Sequence, residues 1–418
     1  MTTVPRLVYI MTSASSAMYI RSHGPYLRER GFEVVFISAP GDELSVLREQ
    51  GGITTISVPM EREISPLNDL VSLIRLYVVL RRLRPAIVNA GTPKAGFLGM
   101  IAACAARVPV RIYFLLGLRL ETTRGFKRFI LSLAERCTSA LAHRVICVSE
   151  SLRRLYVRLG YAPEAKTCVS GKGSPSGIHA DPNGLHPEEI TQTLCLRERA
   201  RALRAQLGIP ERAPVVGFAG RLTRDKGLPE LLDAFEQIRE SSPSARLLLL
   251  GSFEDGDPIP DSYLKRLRSH PRVILTGYVS NSIPYYRIMD VLAFPSYREG
   301  LAGPPLEAAL VAEIPTVAFE ATGTVDAVCD GVTGTIVPLG DVASFARAIE
   351  RYLSTDPLRR EHGQAARQYV LRYFSPEIVH EAIYGEYMRL LKERSGALFH
   401  KLVDCPKRAS QSALGESI

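Results

Sequence analysis

The chain contains no tryptophan and no uninterrupted apolar run of about 18 residues, the length a helix needs to cross a bilayer. Its opening stretch, MTTVPRLVYIMTS, carries too short an apolar run for a secretory signal. Seven cysteines, at positions 104, 137, 147, 168, 195, 329 and 405, are scattered without a CxxC or a Cys/His cluster. That spacing excludes a disulfide framework and a structural zinc site, and it predicts reduced thiols in a cytoplasmic protein. Zinc-finger spacing, RNP-like motifs and aromatics interleaved with arginine are also missing, so nucleic acid is not an expected partner. The turn after the first predicted strand, TSASSAM, lacks GxGxxG, which removes the NAD-type fingerprint. The only D-x-D, Asp255 and Asp257 in EDGDP, falls in a predicted exposed loop.

What is present begins with 418 residues, too many for one ordinary core, so two domains are expected. The net charge of +9 is unevenly placed: residues 1–205 hold 28 Lys+Arg against 16 Asp+Glu, and the remainder 24 against 27. A basic first half suits an anionic surface or an anionic acceptor.

Strand and helix patterns alternate along the chain. RLVYIMTS, GFEVVFISAP, ITTISVP, AIVNA, RIYFLL and RVICVS read as strands. Helices are predicted between them at Ala17–Arg30, near Asp42–Gln50, and at Leu67–Leu83, Ala95–Ala106 and Lys127–Ala142, with another at Ser151–Leu159. Residues 171–195, rich in Gly, Pro, Ser and Asn, read as loop and linker. A basic helix over Leu196–Leu207 follows, and a second alternation starts at APVVGFAG. It includes strand VILTGYV and predicted helices at Leu228–Glu240, Ser262–His270, Ile283–Met289, Pro304–Ala312 and Val325–Cys329. The expected fold is α/β, with two doubly wound domains at residues 1–195 and 196–375. A last helix over 376–394 is expected to pack back across them, ahead of a loosely ordered tail at 395–418.

Two stretches could carry chemistry. Strand VLAFPS delivers Glu299 into a Gly- and Pro-rich loop, and Glu307 follows eight positions later, in the expected first turn of a helix opened by Pro304 and Pro305. Each carboxylate can accept from two neighbouring hydroxyls, so the pair suits a ligand with two diol faces; helix capping is the plainer reading. In GRLTRDKG, a strand ends at Gly220 and a turn carries Arg221, Arg224 and Lys226 to a helix start, an arrangement suited to a diphosphate.

GRLTRDKG, LLLLGSFE, VILTGYV, the Glu299–Glu307 pair and ATGTVDAVCDGVTGTIV together resemble the sugar-nucleotide domain of retaining glycosyltransferases of family 4. VPMEREISPLNDL, GTPKAG, GLRLET and AHRVICVSESL resemble the bacterial subgroup that builds surface polysaccharides and lipid-linked oligosaccharides, often from UDP-N-acetylhexosamines. The resemblance implies two facing Rossmann-like domains (the GT-B fold) with a cleft between them. It implies a nucleotide-sugar donor, a glycan or polyprenyl-diphosphate-linked acceptor, and no cofactor or metal. By position, Arg221 and Lys226 would hold the diphosphate, Glu307 the ribose and Glu299 the sugar, with Gly220 allowing close approach. Leu301, Ala302, Gly303 and the adjoining Pro304 and Pro305 would line the sugar and phosphate site, and Tyr278 and Val279 fall where the base-binding loop lies. The two domains would then divide the work, residues 1–195 holding the acceptor and 196–375 the donor. Where the subgroup has HxHTPKAG this chain reads NAGTPKAG, with Asn89 and Gly91 in place of the histidines. EGFP or EGFG becomes Glu299-Gly-Leu-Ala, which puts the donor sugar in question.

Arg62, Glu63, Lys94, Arg119 and Glu121 follow strands that should end at the cleft, making them acceptor-side candidates, with surface ion pairs as the alternative for the first two. His23, His143 and His179 are expected to be structural or solvent-facing. The helices in LNDLVSLIRLYVVLRRLRP and TRGFKRFILSLAERC pair apolar faces with arginines. Their apolar faces are expected in the core, and the arginines suggest peripheral contact with an anionic inner membrane. Two other classes remain open: a sugar-nucleotide 2-epimerase on the same architecture, and a non-catalytic sugar-nucleotide-binding protein.

Overall fold

The chain folds around two parallel sheets, seen in a computed structural model that describes residues 4–61, 63–179, 193–238, 242–254, 256–396 and 400. The first alternation runs β1 (Arg6–Ile10), α1 (His23–Glu29), β2 (Glu33–Ser38), α2 (Glu43–Gly51), β3 (Thr54–Ser57), α3 (Pro66–Leu83) and β4 (Ile87–Gly91). It continues through α4 (Pro93–Ala105), β5 (Val110–Leu115), α5 (Gly125–Leu141), β6 (Arg144–Cys147), α6 (Glu150–Arg158) and β7 (Thr167–Val169). Its strands order as β3-β2-β1-β4-β5-β6-β7.

After α7 (Thr193–Gln206), the second alternation runs β8 (Val215–Ala219), α8 (Leu228–Ile238), β9 (Arg246–Leu250), α9 (Asp261–Ser269) and β10 (Val273–Leu275). It closes with α10 (Ile283–Tyr286), β11 (Val291–Phe294), α11 (Gly303–Ala312), β12 (Thr316–Phe319) and β13 (Gly334–Val337). These strands order as β10-β9-β8-β11-β12-β13. Central strands such as VVGFA and RLLLL are buried along nearly their whole length, as expected where helices cover both faces of a sheet. Three helices follow: α12 (Val342–Ser354), α13 (Asp356–Tyr373) and α14 (Pro376–Arg394). From α14, Val379, Ile383 and Tyr387 join the core of the first sheet, so the last helix does cross back.

Several local expectations change. The helix expected over Ala17–Arg30 is a 3-10 turn over Ala14–Tyr19, capped by Ser13, followed by the short α1. Val325–Cys329 forms no helix; residues 322–327 are turns, tied by bonds such as Ala327 N to Thr324 O at 3.0 Å. Strand VILTGYV stops at Leu275, and the helix expected to Met289 ends at Tyr286. The edge strand β7 had no alternating apolar signal in its three residues. Within the expected linker, 193–195 already belong to α7, while 180–192 lie outside the described residues, as do 401–418 of the tail.

Candidate active site

In each sheet the chain leaves in opposite directions from a central pair, β1 and β4 in the first and β8 and β11 in the second. Open α/β sheets bind ligands at the carboxyl ends of such a pair. The GRLTRDKG turn leaves β8 and the Glu299 loop leaves β11, and the two strands are hydrogen-bonded neighbours. Residues 73 positions apart therefore meet, and the Lys226 ammonium bonds the Glu299 carboxylate. Only 11% and 15% of these two side chains remain exposed.

Arg221 stands beside this pair, held 3.0 Å from Glu254 and 3.7 Å from Asp225. Asp225 also receives Arg298 at 2.8 Å and the Thr223 hydroxyl at 2.6 Å. Burial acts to raise the Asp225 pKa, but the Thr223 hydrogen bond and the three cations outweigh it and hold the group below its ordinary value. Asp257 is no free loop acid. Its carboxylate accepts Asp225 N at 2.8 Å and its carbonyl accepts Arg224 N at 3.1 Å, which fixes the turn. Asp255 lies outside the described residues.

Helix α11 begins at Gly303, so Glu307 is in its second turn and not the first. There it accepts Tyr286 OH at 3.1 Å, and burial raises its pKa although that hydrogen bond lowers it. Ala302 is fully buried and bonds Gly323 O at 3.1 Å, while Leu301 packs against the cores of both sheets. Tyr19, from the first half, has its phenol pKa raised by burial and then by the nearby charges of Glu299 and Glu307, which places it at the same cleft. Gly220 closes β8 and bonds Leu250 O at 3.0 Å. Tyr278 is largely solvent-exposed and Val279 half-buried, both on the loop after β10.

The two halves touch directly. Ser149 Oγ donates to Gly300 O at 2.5 Å, and Gly323 N donates to Ser151 Oγ at 2.7 Å. Asp326 accepts Glu150 N and Ser151 N at 3.0 and 3.1 Å, capping α6 from the opposite half. Arg298 reaches Thr122 at 2.9 Å, and Thr322 reaches Glu121 at 2.7 Å. A Cβ at Gly300 would collide with the Leu116 carbonyl, so this approach requires glycine.

The acceptor-side candidates separate into two groups. Glu63 pairs with Arg119 at 2.8 Å and Lys127 at 3.3 Å; the Arg119 hydrogen bond leads in holding its pKa low. Lys94 bonds Asp69 at 2.6 Å and the Glu63 carbonyl. Glu121 stands apart, across the cleft, where burial raises its pKa and one of its oxygens has no partner among the described residues. Arg62 lies outside the described residues.

Asn89 is buried in the first half. It is 1% exposed and donates to Tyr387 of α14 at 2.5 Å, while a Cβ at position 91 would meet Met11 at 2.8 Å. His23 is buried and stacks on His380 with centroids 4.8 Å apart, and His179 bonds Ser22 at 3.0 Å. His143 accepts Arg111 N at 3.1 Å. Tyr19, Asp225, Glu254, Tyr286, Arg298 and Thr322 were not singled out from sequence; Asp225, Glu254 and Thr322 lie inside the stretches that carry the resemblance, and Arg298 stands next to Glu299. Among the described residues no group of three or more His, Cys, Asp or Glu could hold a metal ion.

Comparison with known proteins gives a consistent result. The family described as Glycosyl transferases group 1 matches residues 200–369, and the Glycosyl transferase 4-like domain matches 16–173. The capsular polysaccharide biosynthesis glycosyltransferase CapM of Staphylococcus aureus is 34% identical over 94% of this chain and 99% of its own. A UDP-Gal:alpha-D-GlcNAc-diphosphoundecaprenol alpha-1,3-galactosyltransferase of Escherichia coli is 26% identical over 69% of this chain and 72% of its own. The crystal structure of Anabaena HepE with UDP and glucose shares the fold, with TM-score 0.72 at 21% identity over 92% of this chain and 99% of that one. With the two-sheet architecture, these matches establish that the chain belongs to glycosyltransferase family 4, in its bacterial polysaccharide subgroup, on the GT-B fold.

Proposed function

We propose that this glycosyltransferase is retaining and moves a hexose or N-acetylhexosamine from a UDP-linked donor to a growing glycan carried on a polyprenyl diphosphate. The observation behind this reading is the meeting of Lys226 with Glu299 at the second sheet's switch point, with Arg221 beside them. Arg221 and Lys226 take the donor diphosphate, Glu307 takes the ribose hydroxyls, and Glu299 reads the sugar. Gly220 and the backbone of Leu301, Ala302 and Gly303 line the donor, and Tyr278 and Val279 sit on the base-side loop. Glu63, Lys94, Arg119 and Glu121 serve the acceptor side.

As the bond from the sugar C1 to the diphosphate breaks, the ring gains oxocarbenium character. The acceptor oxygen bonds C1 from the same face, and its proton passes to the departing phosphate oxygen. The two cations stabilise the leaving diphosphate as charge develops on it. They supply the neutralisation a divalent metal gives elsewhere, so EDTA should leave the rate unchanged. The activity of the E. coli relative and the UDP bound to HepE support the choice of nucleotide and acceptor. The enzyme works on the cytoplasmic face, in contact with the anionic inner membrane.

A thermal-shift screen over UDP-, GDP- and ADP-sugars tests the donor, because stabilisation follows affinity for the folded state. UDP should stand out, and UDP release should then depend on a polyprenyl-diphosphate sugar. Another preferred nucleotide, release that ignores the acceptor, or a product of inverted anomeric configuration overturns the reading.

A further inference from the structure

Two helices on one face of the first sheet turn apolar side chains to solvent. On α3, Leu67, Leu70, Val71 and Ile74 follow i, i+3, i+4, i+7 spacing and are all exposed, Leu67 at 81%. On α5, Phe126, Phe129, Ile130 and Leu133 repeat that spacing, with Phe126 76% exposed. The fully buried residues of α5 are the polar Glu135, Thr138 and Ser139, with Leu131 and Leu141 partly buried against the core, so most of its large apolar side chains lie outside the buried face. Both helices pack against α4, which places their stripes on the same side of the sheet. Single exposed apolar residues need no explanation, but paired stripes of this length mark an interaction surface.

Charge selects the partner. Residues 64–84 hold four arginines, at 75, 81, 82 and 84, against the single acid Asp69, which Lys94 already neutralises. All four are exposed, as are Arg124, Lys127 and Arg128 beside the α5 stripe. A second copy of the chain would set these cations against one another, whereas an anionic bilayer complements them. Both stripes also start at the cleft. Each helix follows the carboxyl end of its strand, and Glu63, just before α3, is ion-paired to Lys127 in the first turn of α5. Among the described residues no helix is long and apolar enough to cross a membrane.

We infer that the outer faces of α3 and α5 together form a membrane-docking surface that lies in the interfacial layer of an anionic bilayer, holding the cleft mouth at the headgroups. Its purpose rests on the lipid-linked acceptor proposed above, but the docking is measurable without any transfer. The stems insert apolar side chains while the arginines meet lipid phosphates, so binding needs both contributions.

The full chain is sedimented with phosphatidylglycerol–phosphatidylcholine vesicles and with phosphatidylcholine alone. The wild type should bind the anionic vesicles, less so as salt rises. Replacing Leu67, Ile74, Phe126 and Phe129 with serine should weaken that binding by about tenfold or more. Arg75→Gln with Arg81→Gln and Arg82→Gln should remove the preference for anionic lipid. An unchanged UDP-dependent thermal shift shows that each variant is folded. Wild type that stays in the supernatant overturns the inference, as does a serine variant that sediments like wild type. So does a wild-type dimer that the serine variant dissolves without any vesicle binding. If no donor and acceptor give UDP release while the serine variant still loses vesicle binding, the docking stands and the transfer reading fails.

Discussion

Replacing Glu299 with glutamine should separate nucleotide binding from sugar transfer. The Glu299 carboxylate neutralises Lys226, and both side chains are nearly buried. Removing one member of a fully buried pair costs about 3–5 kcal/mol, because a charge is left unpaired. Here the glutamine oxygen still accepts from Lys226 and some water reaches the pair, so a loss of about 1–2 kcal/mol is expected. UDP should respond in the opposite direction. A carboxylate beside a diphosphate repels it by about 1–3 kcal/mol at an effective dielectric near 20, and the substitution relieves that repulsion. UDP affinity should therefore hold or tighten, by up to about a hundredfold. Transfer should fall by about 10²–10³, the usual loss when one group aimed at the reacting centre is removed. Isothermal titration with UDP and an acceptor-dependent UDP-release assay read the two effects. Weakened UDP binding in a variant with a normal melting curve would refute this division of roles, and so would transfer within about threefold of wild type.

Other expectations concern stability and closure. Burial lifts Glu135 to about 7 from 4.5, against the downward pull of hydrogen bonds from Tyr156 and Tyr113. The folded state then keeps a proton that the unfolded chain releases, so stability should fall by up to about 3 kcal/mol between pH 4.5 and 7. Glu135→Gln should flatten that slope in urea titrations; an unchanged slope assigns it elsewhere. His380 behaves oppositely, since burial and the nearby His179 hold it near 4, below 6.5. As pH drops through that window the unfolded chain takes up the proton first, so α14 should loosen in acid. Hydrogen exchange of 376–394 at pH 5 and 7 measures this, and His380→Gln should reduce the difference. Gly300→Ala should destabilise by about 1–3 kcal/mol through its clash with the Leu116 carbonyl. An open cleft in small-angle scattering, with UDP binding kept, is the expected signature; an unchanged profile counts against the contact.

Much of the fold was legible because strand and helix periods differ and alternate so regularly. Where local signal ran out, tertiary context decided. Three-residue β7 has no alternation long enough to see, and it is a strand because β6 offers it an edge. The apolar stripes of α3 and α5 looked like core faces, because periodicity says which residues share a face and not what that face meets. In the structure the core side of α5 is taken by Glu135, which Tyr113 and Tyr156 satisfy at 3.1 Å. Asn89 stands where the resemblance led to an expected histidine, yet its side chain bonds Tyr387 of α14, 298 residues further on.

The sequence by itself determined two βα alternations, a carboxylate pair eight residues apart and a basic turn, since these depend on short-range spacing. Only the tertiary structure decided that the pair and the turn form one site. Strand order places β8 beside β11, and no local pattern encodes which strands become neighbours. The closed cleft is decided in the same way, by Asp326, Gly300 and Glu121 meeting groups more than 150 positions away in sequence.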